Sequence, residues 1–275
     1  MPKEKKNGNS IVKKFLNAYR TEKRSVFVVY VVLRFLVLAA LVLSCIGGNW
    51  ENAFICLLVL VLFLLPLLFE ASFHVELPST LQIVILIFIF AAEILGELQS
   101  YFVRYEHWDT VLHTTWGFLC AAVGYSLVDI LNRNKRIRFS LSPIYLALVA
   151  FCFSMTIGVL WEFFEFGMDY FFHKDMQKDT IIHAFSSVTL DPTRSNIPIR
   201  VEGITDVAVN GESLGLGGYL DIGLYDTMED LFVNFLGAIV FSLLGFLDAK
   251  TGGKLKLVSR FVPQVPEDPE TPENA

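Results

Sequence analysis

Charge is what this chain has least of. Asp, Glu, Lys and Arg make up 18% of 275 residues, against 54% hydrophobic residues and a mean hydropathy of +0.53. A water-soluble domain of this length interrupts its apolar runs more often. Cysteine is scarce too, and Cys45, Cys56, Cys120 and Cys152 all fall inside apolar runs. Their spacing fits neither a disulfide framework nor a metal knuckle, so they read as small apolar core residues. No stretch reads as a cleavable leader. The first apolar run follows a basic arm, contains Arg34 and has no small-residue cleavage site behind it, so it reads as a retained anchor. No internal repeat is evident, and a net charge of −6 gives no reason to expect a nucleic-acid partner.

What the chain does have is six apolar runs. Val26–Ile46, Asn52–Phe69, Thr80–Gln99, Thr110–Leu131, Pro143–Phe164 and Thr227–Leu247 reach or approach the ~20 residues that cross ~30 Å of hydrocarbon. The expected fold is an all-α polytopic membrane protein with six transmembrane helices, in contact with membrane lipids. Basic residues orient it. The N-terminal arm, the loop after the fourth run (Arg133, Lys135, Arg136, Arg138) and the tail after the sixth (Lys250, Lys254, Lys256, Arg260) hold sixteen of the 22. The positive-inside rule puts all three regions in the cytoplasm, so this multi-pass cell-membrane protein is expected to have cytoplasmic N- and C-termini.

The chain divides accordingly. Residues 1–25 form a basic cytoplasmic arm, 26–247 the membrane domain including an extracytoplasmic loop at 173–225, and 248–275 a cytoplasmic tail. From about 262 the tail alternates prolines with acids and is expected to be disordered. In the long loop, Ile197–Glu202, Thr205–Val209 and Glu212–Leu216 have strand character, and Asn210-Gly211 is a hairpin turn signal. A small extracytoplasmic β-hairpin or three-stranded flap is expected.

Polar residues recur at helical spacing near the outward ends of four runs. Glu93 and Glu97 lie four apart in the third, and Asp109 and His113 four apart in the fourth. Glu162, Glu165 and Asp169 follow at three and four in the fifth, and Asp226, Asp230 and Asn234 at four and four in the sixth. Such spacing places each set on one helix face. Ionisable groups at membrane depth are costly and mark ion pathways, proton relays or substrate sites. Crowded carboxylates need protons, cations or a metal between them. Oxygen ligands with one imidazole suit Mg²⁺, Mn²⁺, Fe²⁺ or Zn²⁺. Plainer readings stand beside this one. Glu97 and Asp169 can be solvated interfacial acids, and Asp109 and Asp226 can complement helix N-termini. His113 can simply hydrogen-bond a neighbouring helix. Arg34 can neutralise Glu93 or snorkel. Trp108, Trp116 and Trp161 suit an interfacial aromatic belt.

Three of these stretches resemble a known family. Trp108-Asp109 with His113 is similar to the W-D-x-x-x-H motif of YjdF-type bacterial inner-membrane proteins, and Trp161-Glu162 with Glu165 to their W-E-x-x-E motif. Asp226-Thr227, Asp230, Asn234 and Gly237 resemble their D-T-x-x-D-x-x-x-N-x-x-G motif. More distantly, Asp109 to His113 and the Asp230, Asn234, Gly237 pattern resemble the VanZ-like family. This chain has Thr110 where that family usually has lysine, and it has extra spans. The YjdF-type resemblance implies a bacterial membrane location and no particular reaction.

The functional expectation is a divalent metal site at the extracytoplasmic face, with Asp109, His113, Glu162 and Asp226 as ligands and Glu93 and Asn234 in support. Glu165 or Asp230 would be the general base of a metal-dependent hydrolase or transferase acting on a lipid or cell-envelope intermediate. The alternatives are a cation- or proton-coupled transporter, and a non-catalytic structural or partner-binding membrane protein.

Overall fold

A computed structural model describes residues 24–133 and 141–264, with the backbone alone for 130–133. The basic arm to Lys23, the loop cations Lys135, Arg136 and Arg138, and the acidic tail beyond Gln264 lie outside the described residues.

Six helical spans are long and apolar enough to cross a membrane among the described residues. The first is α1 (Arg24–Ile46). The second is α2 (Trp50–Leu62) followed by α3 (Leu65–Phe73). Asn49 caps α2 by accepting from the Asn52 amide at 3.1 Å. The break before α3 falls where Pro66 has no N–H to donate to Leu62. The third span begins as α4 (Ser79–Ile89) and continues as a π-helical stretch, Phe90–Leu98. After a single turn, α5 (Tyr101–Arg104), come α6 (Trp108–Arg133), α7 (Pro143–Phe172) and α8 (Leu224–Lys250). Ser142 and Pro143 start α7, the serine as N-cap and the proline where no amide is needed. The expected spans are therefore borne out, with α7 eight residues longer than its apolar run. Two spans are less regular than the sequence suggests.

The outer surface of the bundle is apolar. Phe35, Leu43, Phe54, Ile144 and Phe163 are each at least 66% exposed. An exposed apolar surface this extensive suits acyl chains and not water. Inside, α6, α7 and α8 pack against one another more extensively than any other elements among the described residues. Gly117 of α6 lies against the Asn234 carbonyl of α8, and Gly237 of α8 against the Thr114 carbonyl of α6, at distances a Cβ could not share. Away from the long loop, Val258 and Val262 pack on Tyr125 and Phe241. Glu76 and Gln264 exchange backbone hydrogen bonds of 2.8 and 2.9 Å. The tail expected to lose order from about 262 is thus packed through Gln264.

The loop between α7 and α8 forms a β flap. It contains β1 (Thr180–Ile182), β2 (Ala184–Ser187), β3 (Ile199–Glu202), β4 (Ala208–Val209), β5 (Glu212–Ser213) and β6 (Tyr219–Asp221). The expected hairpin is β4–β5, turned by Asn210 and Gly211, both with positive φ. The other strands correct the three-stranded expectation: β3 pairs with β2 and β1 with β6, making three separate antiparallel pairs. Asp191 sits under the β2–β3 connection and accepts from the amides of Thr193, Ser195 and Ile197. With the Thr193 hydroxyl also donating to it, its carboxyl is held down at about 2.

The glycine contacts predict a stability difference. Gly237→Val forces the α6 and α8 backbones apart, an overpacking cost of about 1–3 kcal/mol or more, and should lower the melting temperature of the detergent-purified protein by several degrees. Gly167→Ala, where a Cβ meets nothing within 4 Å, should not lower it. Equal melting of the two variants would contradict the close contact.

Candidate functional site

The α6–α8 contact sets the height of the acidic residues. Both helices start at the flap end, so they run parallel, and α7 runs back antiparallel, packed against both. Gly117, Asn234 and Gly158 of α7 lie in one layer, since a Cβ on Gly158 would come 2.7 Å from Asn234 Nδ2. One turn toward the flap, four residues along each helix, lie His113, Asp230 and Glu162. His113 Nε2 is 3.6 Å from Asp230 Oδ2, and Nδ1 is 4.0 Å from Glu162 Oε1. A further turn out lie Asp109 and Asp226, with Asp109 Oδ1 3.4 Å from His113 Nε2. Glu165 completes the set from α7.

These side chains fall into two overlapping groups whose ligand-type atoms lie within 4.8 Å of one another: His113, Glu162, Glu165 and Asp230, and Asp109, Asp226 and Asp230. The inner group is buried, with Asp230 only 3% and Glu162 only 4% exposed. The outer group is half-open through Asp109 and Asp226. Glu162 Oε2, Glu165 Oε2 and Asp230 Oδ2 are fully buried and accept no hydrogen bond. Among the described residues no lysine or arginine forms an ion pair with any of the five carboxylates. The charge of Lys178 acts on Asp109 and Asp226 from beyond ion-pair distance; five carboxylates gathered this closely still demand protons or cations between them.

The expected ligands Asp109, His113, Glu162 and Asp226 all lie here, divided between the two groups. Glu165 and Asp230, expected as bases, stand among the ligand-type atoms, and Asp230 belongs to both groups. Asn234 supports the layer beneath, buried, with Nδ2 donating to Met155 Sδ at 3.6 Å. Glu93 is half-buried in the π-helical stretch and joins neither group, and Glu97 is exposed. The site is therefore built by three spans and not four. No ion pair joins Arg34 to Glu93; its guanidinium lies 3.8 Å from the centre of the ring of Tyr30, one turn toward the N-terminal end of α1, and donates to that hydroxyl at 2.5 Å. Asp226 is not a simple cap, because Asp221 takes the Tyr225 amide at the start of α8.

Several residues enter that sequence reasoning passed over. Trp161, expected in an aromatic belt, donates its indole N–H to Glu165 Oε1 at 2.9 Å. A strap at residues 176–178 crosses the flap end. Asp169, expected to be merely solvated, accepts from the Met176 and Gln177 amides at 2.6 and 2.8 Å. Asp226 Oδ2 accepts from the Lys178 amide at 2.7 Å, and Gln177 Nε2 donates to Thr227 Oγ1 at 2.6 Å. Gly223, with φ of 104°, lets Gln177 pack against the start of α8. Lys174 pairs with Glu51 and ties the strap to α2. In the sequence only Gly223, just before the D-T motif, hinted at a special backbone position.

Fold and site together define a polytopic membrane protein with a buried carboxylate–imidazole cluster at one end of a three-helix core. The chain belongs to the family described as "Predicted membrane protein (DUF2238)", whose model matches residues 29–251. That match includes the first three spans and the flap as well as the three motifs, and it bears out the YjdF-type resemblance. An uncharacterised protein of Thermotoga maritima is 26% identical over 104 residues, which are 38% of this chain and 52% of that protein. The chain thus spans about half the length of this relative. Neither match shows a VanZ-like relationship, and no solved structure matches.

The strap geometry predicts a local effect. Asp169→Ala removes two charge-assisted hydrogen bonds worth about 1.5–3 kcal/mol each. Amide exchange of the 174–179 peptide should accelerate by roughly tenfold or more, read by hydrogen-exchange mass spectrometry. Glu229→Ala, at an exposed position of α8, is the control. Unchanged protection in Asp169→Ala would show that the strap is held by other means.

Proposed function

We propose that this protein binds a divalent metal ion at the flap end of its helix core and acts there as a hydrolase or transferase on a lipid or cell-envelope intermediate. One observation carries the reading: the buried carboxylates of Glu162, Glu165 and Asp230 bring ligand-type atoms within 4.8 Å of one another and of His113, and each keeps one buried oxygen that accepts no hydrogen bond. Hard oxygen ligands with one imidazole fit Mg²⁺, Mn²⁺, Fe²⁺ or Zn²⁺. A bound cation of this kind supplies Lewis acidity and lowers the pKa of a coordinated water. Trp161 orients Glu165, Asn234 supports the layer beneath His113 and Asp230, and the strap restricts water. Half-buried Asp109 and Asp226 line the approach from the flap.

Sidedness follows from the basic residues. Arg260 and the lysines after α8 lie at the end opposite the flap, so the positive-inside rule puts the site and flap on the extracytoplasmic side and both termini in the cytoplasm. A transport role would need a conduit from the site to the other end. Ala121, Ala122, Ala238 and Phe241, all 0% exposed, instead close the core just beyond Asn234. They separate the site from a cavity of about 410 Å³ lined by Asp129 and Asp248. That apolar plug ranks transport below surface chemistry.

Two experiments follow. A Ser213→Cys protein with its native cysteines replaced should react with an impermeant maleimide in spheroplasts, while a C-terminal green fluorescent protein fusion stays fluorescent. Labelling only after lysis would reverse the orientation. Protein reconstituted in vesicles of bacterial lipid extract should carry metal and alter a lipid or envelope species, as followed by mass spectrometry, and His113→Ala should lose both. Absence of metal from the wild type would sink the metal reading. Metal with no lipid change would leave a binding protein, and cation flux dependent on His113 would put transport first.

A further inference from the structure

We infer that the site holds two divalent cations, with Asp230 bridging them. This rests on the metal-binding reading above and extends it from one ion to a pair. The inner position comprises His113, Glu162, Glu165 and Asp230, and the outer one Asp109, Asp226 and Asp230. Asp230 is the only side chain common to both, and it is well placed to be shared. It is 3% exposed, and its Oδ2 accepts no hydrogen bond yet points at His113 Nε2 from 3.6 Å. A carboxylate can bind one cation through each oxygen, and paired-ion sites hold their metals about 3.5–4 Å apart.

Charge leads to the same count. Five carboxylates converge, three of them buried, with one imidazole. One divalent ion offsets two of up to five negative charges and leaves the outer acids facing one another with only the nearby charge of Lys178, which is outside ion-pair distance, against them. Two ions offset four. The second ion also gives Asp109 and Asp226 a role that capping does not supply. The Lys178 amide occupies Asp226 Oδ2 and leaves Oδ1 for the ion.

The two positions differ in access. The inner ion is enclosed by buried ligands, and Trp161 fixes the free rotation of Glu165. The outer ion has half-open ligands and faces the strap, so it keeps the coordination sites for water or a substrate oxygen. The inner ion holds the helices together, and the outer one meets the substrate.

Full-length protein, stripped with a chelator, reloaded with Mn²⁺ and dialysed to equilibrium, tests this by metal counting and electron paramagnetic resonance. The wild type should bind two Mn²⁺ per chain with an exchange-coupled spectrum. Asp226→Asn should bind one, with an uncoupled six-line spectrum, and Asp109→Asn is the second variant should the first fail to elute as a single species. One Mn²⁺ in the wild type, unchanged in either variant, would overturn the second ion and leave the single-metal reading standing. Two uncoupled ions would overturn the bridge, and no Mn²⁺ at all would overturn both readings. The wild-type count and spectrum decide between these even if neither variant folds.

Discussion

Direct contact between the backbones of α6 and α8 sets the geometry of everything at the flap end. Gly117 rests on the Asn234 carbonyl and Gly237 on the Thr114 carbonyl, so the two parallel helices are locked in register as well as held close. Four residues toward the flap, that register brings His113 beside Asp230, and four residues further Asp109 beside Asp226. Gly158 fits α7 against Asn234 and thereby sets Glu162 level with His113. A side chain at any of these glycines would separate the layers before it touched a ligand-type atom. The small residues and the acids are thus parts of one device.

That device concentrates negative charge where the surroundings are least able to stabilise it. Most buried polar groups in proteins find a hydrogen-bond partner. Here the protein satisfies one oxygen of Glu165 through Trp161 and leaves the other bare, and it leaves an oxygen each of Glu162 and Asp230 bare as well. Replacing such a cluster by apolar residues would cost a three-helix core nothing in packing. Keeping it is intelligible if something positively charged completes it. Immediately beneath, Ala121, Ala122, Ala238 and Phe241 pack the same helices with small and aromatic side chains and no convergence of acids.

Much of this was legible in the sequence. The length and polarity of the runs gave six spans, and the Asn210-Gly211 pair gave the one hairpin whose turn depends on two adjacent residues. Spacing of four within α6 and α8, and of three within α7, put the acids and His113 on single faces. Spacing cannot say which faces meet. The third span offered an equally good pair in Glu93 and Glu97, but in its π-helical stretch Glu93 is half-buried, Glu97 is exposed, and neither joins the ligand-type groups. Nor could periodicity distribute the ligand-type atoms. Glu165 and Asp230 read as bases because a motif supplies residues without their partners, and only the juxtaposition of three helices gives Asp230 its double membership. The pairing of β3 with β2, and the packing of the tail through Gln264, are long-range contacts with no local signal.

The strap explains why the flap belongs to the site and is not simply a long connection. Residues 176–178 are fixed to α7 through Asp169 and to α8 through Asp226 and Thr227, so one acid of the outer group also anchors the covering backbone. Any change in what Asp226 binds is therefore felt at the Lys178 amide, and any opening of the strap loosens Asp226. Gly223 is required where it is for the same reason, since its positive φ and missing Cβ let Gln177 sit against the first turn of α8. Hydrogen bonds of 2.6 to 2.8 Å fix the cover to Asp169, Asp226 and Thr227, and the Gln177 side chain also bonds to Glu162, so the inner group is linked to the strap as well. The covering backbone is thus tied to both groups at the flap end, to the outer one through Asp226 and to the inner one through Glu162, while the layer of Ala121, Ala122, Ala238 and Phe241 lies on the other side of Asn234.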